Sequence, residues 1–118
     1  MSERPREPAV RELRRLDDGV ELRLHIPRDL VQFEGHFPGY PVVAGVVLLD
    51  WAIRYAGQHV VPGLAVGRAF QVKFRQVLRP DTDLSLFLRR PGRGARLTFE
   101  YRNDAAVFSS GSIALGPS

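Results

Sequence analysis

Apolar residues at 20, 22, 24 and 26 alternate with Glu21, Arg23 and His25, the period of a strand with one face in a core and the other in water. Arg11 to Leu16 and the turn residues Asp17-Asp18-Gly19 precede that run, so the chain is predicted to open with a β-hairpin, which Pro27 ends. His25 falls on the outward set, which makes it a surface residue rather than a ligand. The two-residue period returns at Phe70, Val72 and Phe74 within a strand over 68–77, at Leu84, Leu86 and Leu88, and at Leu97, Phe99 and Tyr101. Residues 106–115 read as a last strand, with Pro91-Gly92-Arg93-Gly94 and Asn103-Asp104 as turns.

Between hairpin and meander the pattern changes. Phe33 to Pro41 holds Gly35, Pro38, Gly39 and Pro41 and cannot be regular structure. Val43 to about Ala56 is then apolar nearly all round, with Gly57 placed to end it as a C′ residue. Such a helix is expected to be enclosed rather than laid on a surface. Two strands, one buried helix and four strands predict an α+β fold, a single antiparallel sheet curled around one long central helix. One helix cannot cover six strands, so apolar sheet surface should remain for a second subunit. Residues 1–8 carry two prolines and four charges and are expected to fray.

Composition adds bounds. A chain of 118 residues, 44% apolar, suits one globular domain over 1–118. The absence of cysteine excludes disulfides and thiolate metal sites. The first residues lack the apolar core of a signal peptide. The longest apolar run, 42–56, contains Asp50 and Arg54 and falls short of the roughly 20 residues of a membrane span. The expectation is a soluble, cytoplasmic protein. Basic residues number eight against nine acidic in 1–65, and nine against four in 66–118. That asymmetry fits an acidic partner for the second half, or simply an arginine-rich surface. Nucleic acid is not expected, because no aromatic-interleaved basic stripe or groove-reading helix is visible. No nucleotide loop, metal cluster or Ser-His-Asp order is visible either, so no cofactor and no metal are expected.

Three residues between 33 and 51 have the types that acid–base chemistry needs. His36 is bracketed by Gly35 and Pro38, and an imidazole with an unperturbed pKa of about 6.5 suits a general base. Packing or capping a loop is the bland alternative. Gly45 lies in the first helical turn, where N–H groups lack intrahelical partners and could hold a carbonyl oxygen. Close helix–sheet packing would also ask for glycine there. Asp50 stands inside the apolar helix, where burial would favour the protonated form that a general acid uses. Its rival is an i,i+4 ion pair with Arg54, which would hold Asp50 charged. From the residues alone the two readings of Asp50 stand even.

The run Gly35-His36-Phe37-Pro38-Gly39-Tyr40-Pro41-Val42-Val43-Ala44-Gly45-Val46-Val47-Leu48-Leu49-Asp50 resembles the motif of the 3-hydroxyacyl-acyl-carrier-protein dehydratases, a hotdog-fold family. That pattern is Gly-His-Phe-Pro, two variable residues, Pro-Val, Met or Leu, Pro-Gly, and an acid five positions after the glycine. Ala44 departs from it by replacing the proline, and Asp50 is the shorter of the two acids the family uses. Leu49-Asp50-Trp51 resembles most the dehydratases of aryl-polyene-type pigment clusters.

The resemblance implies a hotdog fold and the dehydration of (3R)-hydroxyacyl thioesters on an acyl carrier protein to trans-2-enoyl thioesters, without cofactor. It casts His36 as base and Asp50 as acid, Gly45 and Val46 at the carbonyl, and Phe37 and Trp51 beside the acyl chain. Phe33, Tyr40, Phe70 and Phe74 are better read as core. The site is implied to be shared across a homodimer or a heterodimer with a paralogue, His36 facing Asp50 of the partner. Arg68, Lys73, Arg75 and Arg79 are candidates for the carrier's acidic surface and pantetheine phosphate. A hotdog acyl-thioesterase is one alternative, which the Gly-His-Phe-Pro loop opposes. A non-catalytic hotdog subunit is another, which the two filled acid–base positions oppose.

Overall fold

The alternating run at 20–26 forms a strand, as its period requires. In the computed structural model, which describes residues 6–29, 45–64 and 66–115, strand β1 spans Ala9–Leu16 and β2 spans Gly19–His25. They pair antiparallel around a two-residue loop, Leu16 opposite Gly19. Glycine is required at that corner, because a Cβ on Gly19 would stand 1.8 Å from the carbonyl oxygen of Leu88. Helix α1 runs from Gly45 to His59, followed by β3 (Val66–Phe74), β4 (Asp83–Arg89), β5 (Arg96–Arg102) and β6 (Val107–Leu115). Every pairing is antiparallel, in the order β1-β2-β4-β5-β6-β3, so β1 and β3 are the two edges.

Register gives the sheet two distinct faces, because residues opposite one another share a face. One row across the inner face is Leu13, Leu22, Leu86, Tyr101, Ser109 and Phe74. The next is Arg15, Val20, Leu88, Phe99, Gly111 and Val72. The helix lies on this face. Its buried residues Leu48, Trp51, Ala52, Tyr55 and Ala56 repeat at i, i+3, i+4, i+7 and i+8 and join the strands in one core. Arg15 reaches from β1 to the far end of the helix, its Nη1 donating to the carbonyl of His59 at 3.0 Å.

Two expectations about the helix change here. The helix is not enclosed all round: Asp50, Arg54 and Gln58, at i, i+4 and i+8, form an exposed stripe opposite the core. Nor does it stop at Gly57. It continues to His59, and the N–H groups of Val60 and Val61 both close on the carbonyl of Ala56. Of the segment expected to fray, residues 1–5 lie outside the described residues, while Pro8 is buried and Glu7 forms an ion pair with Arg54. The expected uncovered sheet surface is present. Val10 and Leu13 are exposed on β1, as are Phe74 at the end of β3 and Val77 beyond it. Among the described residues no helix is long and apolar enough to cross a membrane.

Candidate active site

Asp50 and Gly45 are the two expected site residues whose surroundings the structure describes most fully. His36 and Phe37 lie outside the described residues, as does the rest of 30–44; the side chains of Val46, Arg68 and Phe70 are likewise outside the description. Gly45 is the first described residue of the helix, and a side chain there would meet a neighbour. A Cβ on Gly45 would come within 2.6 Å of the Phe74 ring, so the ring of an edge strand lies against the first helical turn. First-turn N–H groups of a helix in general lack intrahelical acceptors and are donors that a carbonyl oxygen can use.

The carboxylate of Asp50 is 55% exposed and Arg54 Nε lies 3.1 Å from its Oδ2. The expectation that the apolar helix buries Asp50 is therefore corrected, and the rival ion pair is the arrangement found. Arg54 is not given over to Asp50 alone, because its Nη1 also donates to Glu7 Oε1 at 3.0 Å. One guanidinium thus bridges two carboxylates, one on the helix and one just ahead of β1.

Beneath this stripe lie two tyrosines. Tyr101 Oη donates to the carbonyl of Leu48 at 2.6 Å and fixes the first half of the helix to β5. Burial holds the Tyr101 phenol well above its ordinary pKa, with repulsion from Tyr55 once ionised, and then from Asp50, adding to it. Tyr55 is pushed up to about 12, first by burial and then by the charge of Glu7, while Arg54 pulls the other way. Its hydroxyl is buried with no hydrogen-bond partner among the described residues. Trp51, expected beside the acyl chain, is 1% exposed and belongs to the core. His25, expected outward, sits at the end of β2 with Nδ1 2.7 Å from Asp83 Oδ1. Among the described residues no group of His, Cys, Asp and Glu could hold a metal ion.

The basic candidates divide. Lys73 and Arg75 line a groove of about 420 Å³ on the outer face of the sheet, away from the helix. Register brings Arg89 and Arg102 into the same groove, two residues that sequence reading did not single out because only the β4–β5–β6–β3 order makes them neighbours. The Arg102 guanidinium lies 4.4 Å from the centre of the Phe87 ring and 3.0 Å from Glu100, and Arg89 is bound to Asp18 at 2.8 Å. Arg79 is exposed beyond β3 and is not among the residues of this groove.

A family model for the ApeI-like dehydratases, described as ApeI dehydratase, matches residues 12–112. The chain belongs to that family. Among solved structures, the ApeI:P dehydratase heterocomplex of Xenorhabdus doucetiae superimposes with a TM-score of 0.84 at 29% identity, over 94% of this chain and 99% of that one. An uncharacterized protein of Erwinia carotovora subsp. atroseptica gives 0.73 at 32% identity, over 94% and 97%. The 3-hydroxyacyl-acyl-carrier-protein dehydratase FabZ of Levilactobacillus brevis is 35% identical over 63 residues, which is 48% of this chain and 43% of that protein. The match therefore spans less than half the length of that curated relative.

These likenesses make the fold a hotdog, the sheet-around-a-helix architecture expected above. The family match spans both candidate acid–base positions, His36 and Asp50.

Proposed function

We propose that this ApeI-like dehydratase removes water from a (3R)-hydroxyacyl thioester presented by an acyl carrier protein, leaving the trans-2-enoyl thioester. His36 takes the C2 proton, and the electron pair moves toward the thioester oxygen, held by the N–H groups at the Gly45 end of the helix. As the C2–C3 double bond forms, the C3–O bond breaks and Asp50 supplies the proton that lets the hydroxyl leave as water. The reaction so written needs no cofactor. The observation that carries this reading is the position of Asp50, one turn and a half into a helix whose open end is glycine, within the span of the family match. A carboxylate on the exposed stripe, not in the core, can meet a substrate held by another chain.

That geometry fits a site completed by a second hotdog subunit, with His36 of one protomer opposite Asp50 of its partner. The exposed Phe74 and Val77 at the β3 edge give such a subunit apolar surface to cover. Lys73 and Arg75, with Arg68 and Arg79, remain the candidates for the acidic carrier protein. An aryl-polyene-type acyl chain is the substrate class we favour, with fatty acyl chains as the comparison.

A second reading has one observation behind it. Asp50 is ion-paired with Arg54, and a relative of the same fold is part of a heterocomplex, so the chain could be the non-catalytic subunit of such a pair. The purified chain, alone and with any co-purifying paralogue, is assayed for enoyl absorbance from 3-hydroxyacyl-carrier-protein substrates. Loss of at least about 100-fold in rate in both His36→Ala and Asp50→Asn supports the catalytic reading. Unchanged turnover in both assigns the chain the supporting role, and release of free acid in place of enoyl product indicates a thioesterase.

A further inference from the structure

We propose that Glu7 is a positioning residue for Asp50, acting through Arg54. The inference rests on the reading of Asp50 as proton donor. Arg54 touches the two carboxylates with different nitrogens, Nε to Asp50 Oδ2 at 3.1 Å and Nη1 to Glu7 Oε1 at 3.0 Å, so both contacts exist at once. Glu7 is 47 residues from Arg54 in the chain and is held in place by its neighbours, since Pro8 is buried and Ala9 begins β1. The bridge is a product of the fold and not of helical spacing alone.

Its value is not stability, because ion pairs between half-exposed groups contribute little. It lies in how charge is shared. A proton donor must pass between a neutral and a charged form during each turnover. A guanidinium given wholly to Asp50 would favour the charged form and resist reprotonation. With Glu7 on its other side, Arg54 keeps a carboxylate partner when Asp50 is neutral. It need not swing away, and the surface that meets the substrate keeps its shape through the cycle. Among the described residues, the titratable groups around Asp50 are Arg54 and Tyr55 on its own helix, Glu7 ahead of β1, and Tyr101 from β5. The two phenols are neutral through the working range, so Arg54 and Glu7 set the local charge.

The substitutions Glu7→Gln and Arg54→Gln give opposite signs. Removing Glu7 leaves the guanidinium to Asp50 and favours its charged form, so the dehydration rate falls about twofold, the scale of an exposed ion pair. Removing Arg54 favours the neutral form and changes the rate in the opposite direction. Glu7→Asp, which keeps the charge, restores part of the wild-type rate. A second readout needs no turnover: the Asp50 carboxyl carbon, followed by NMR in the free protein, titrates at lower pH in Glu7→Gln and at higher pH in Arg54→Gln. Opposite displacements establish the coupling, whereas equal or absent displacements overturn it. Failure of the underlying reading looks different, as Asp50→Asn would then dehydrate as fast as wild type whatever the titrations show.

Discussion

The ring of Phe74 occupies the space that a side chain on Gly45 would need, with Cε1 2.6 Å from the position of its Cβ. This contact joins the first turn of the helix to an edge strand, at the point where the proposed carbonyl site begins. Gly45→Ala therefore forces the ring aside. Phe74 is 55% exposed and can yield, so the expected cost is about 1 kcal/mol, at the low end for overpacking. Phe74→Ala in the same molecule should recover most of it. Urea denaturation of the two single variants and the double variant measures the coupling; strict additivity would show that the two residues do not compete for space.

Tyr101 and Leu48 make a second tie between helix and sheet. Tyr101→Phe removes the buried donor and should cost about 1 kcal/mol in denaturant. Tyr55→Phe on the same face should cost almost nothing, because among the described residues its hydroxyl has no partner to lose.

Alkaline pH tests the same two residues. The folded chain keeps the Tyr55 proton up to about 12, while an unfolded tyrosine releases it near 10. Above about pH 10 the unfolded state therefore holds fewer protons, and stability falls as pH rises through that window. Tyr101 acts in the same direction. Denaturant midpoints followed from neutral pH upward should decline more gently in Tyr55→Phe, and more gently still in the double Tyr55→Phe/Tyr101→Phe variant.

The strands were legible because residues such as Val20, Leu22 and Leu24 alternate without interruption, and burial follows that period in the fold. The motif from Gly35 to Asp50 was legible because it is local. What sequence reading lacked is whatever depends on distant segments meeting. Glu7 reaches Arg54 across 47 residues, and Arg89 and Arg102 join Lys73 only through the strand order. The exposure of Asp50 is a different kind of miss. The stripe Asp50, Arg54, Gln58 was present in the sequence, but the density of apolar neighbours outweighed it in the judgement that the helix is enclosed. A few polar residues at four-residue spacing are enough to give a mostly apolar helix one wet side.

Arg15 supplies the far end of the same helix with a charged cap. Its guanidinium donates to the His59 carbonyl, where helical C=O groups lack partners and cations are favoured. Arg15→Ala should cost about 0.5–1 kcal/mol at neutral pH. Burial, and then the charge of Arg15, lowers the His59 pKa below 6.5, so the folded state prefers the neutral ring. That contribution is present above the unfolded value and is lost as pH falls below it. Thermal unfolding at neutral and mildly acidic pH should show a smaller acid-induced drop in Arg15→Ala than in wild type.

Two buried serines should respond in opposite ways. Ser85 Oγ donates to Glu21 Oε2 at 2.8 Å, and both residues are buried on the outer side of the sheet. Ser85→Ala strips a donor from a buried carboxylate whose other contact, Arg14, is at 3.7 Å, and should cost about 1.5–3 kcal/mol. Ser109 lies on the inner face between Tyr101 and Phe74, fully buried, and its hydroxyl has no hydrogen-bond partner among the described residues. An unsatisfied hydroxyl already carries its desolvation cost, so Ser109→Ala should leave stability unchanged or raise it by up to about 1 kcal/mol. Equilibrium denaturation of both variants decides the point. A loss in Ser109→Ala as large as that in Ser85→Ala would mean that the Ser109 hydroxyl has a partner in solution, and the inner face near the open end of the helix would have to be redrawn around it.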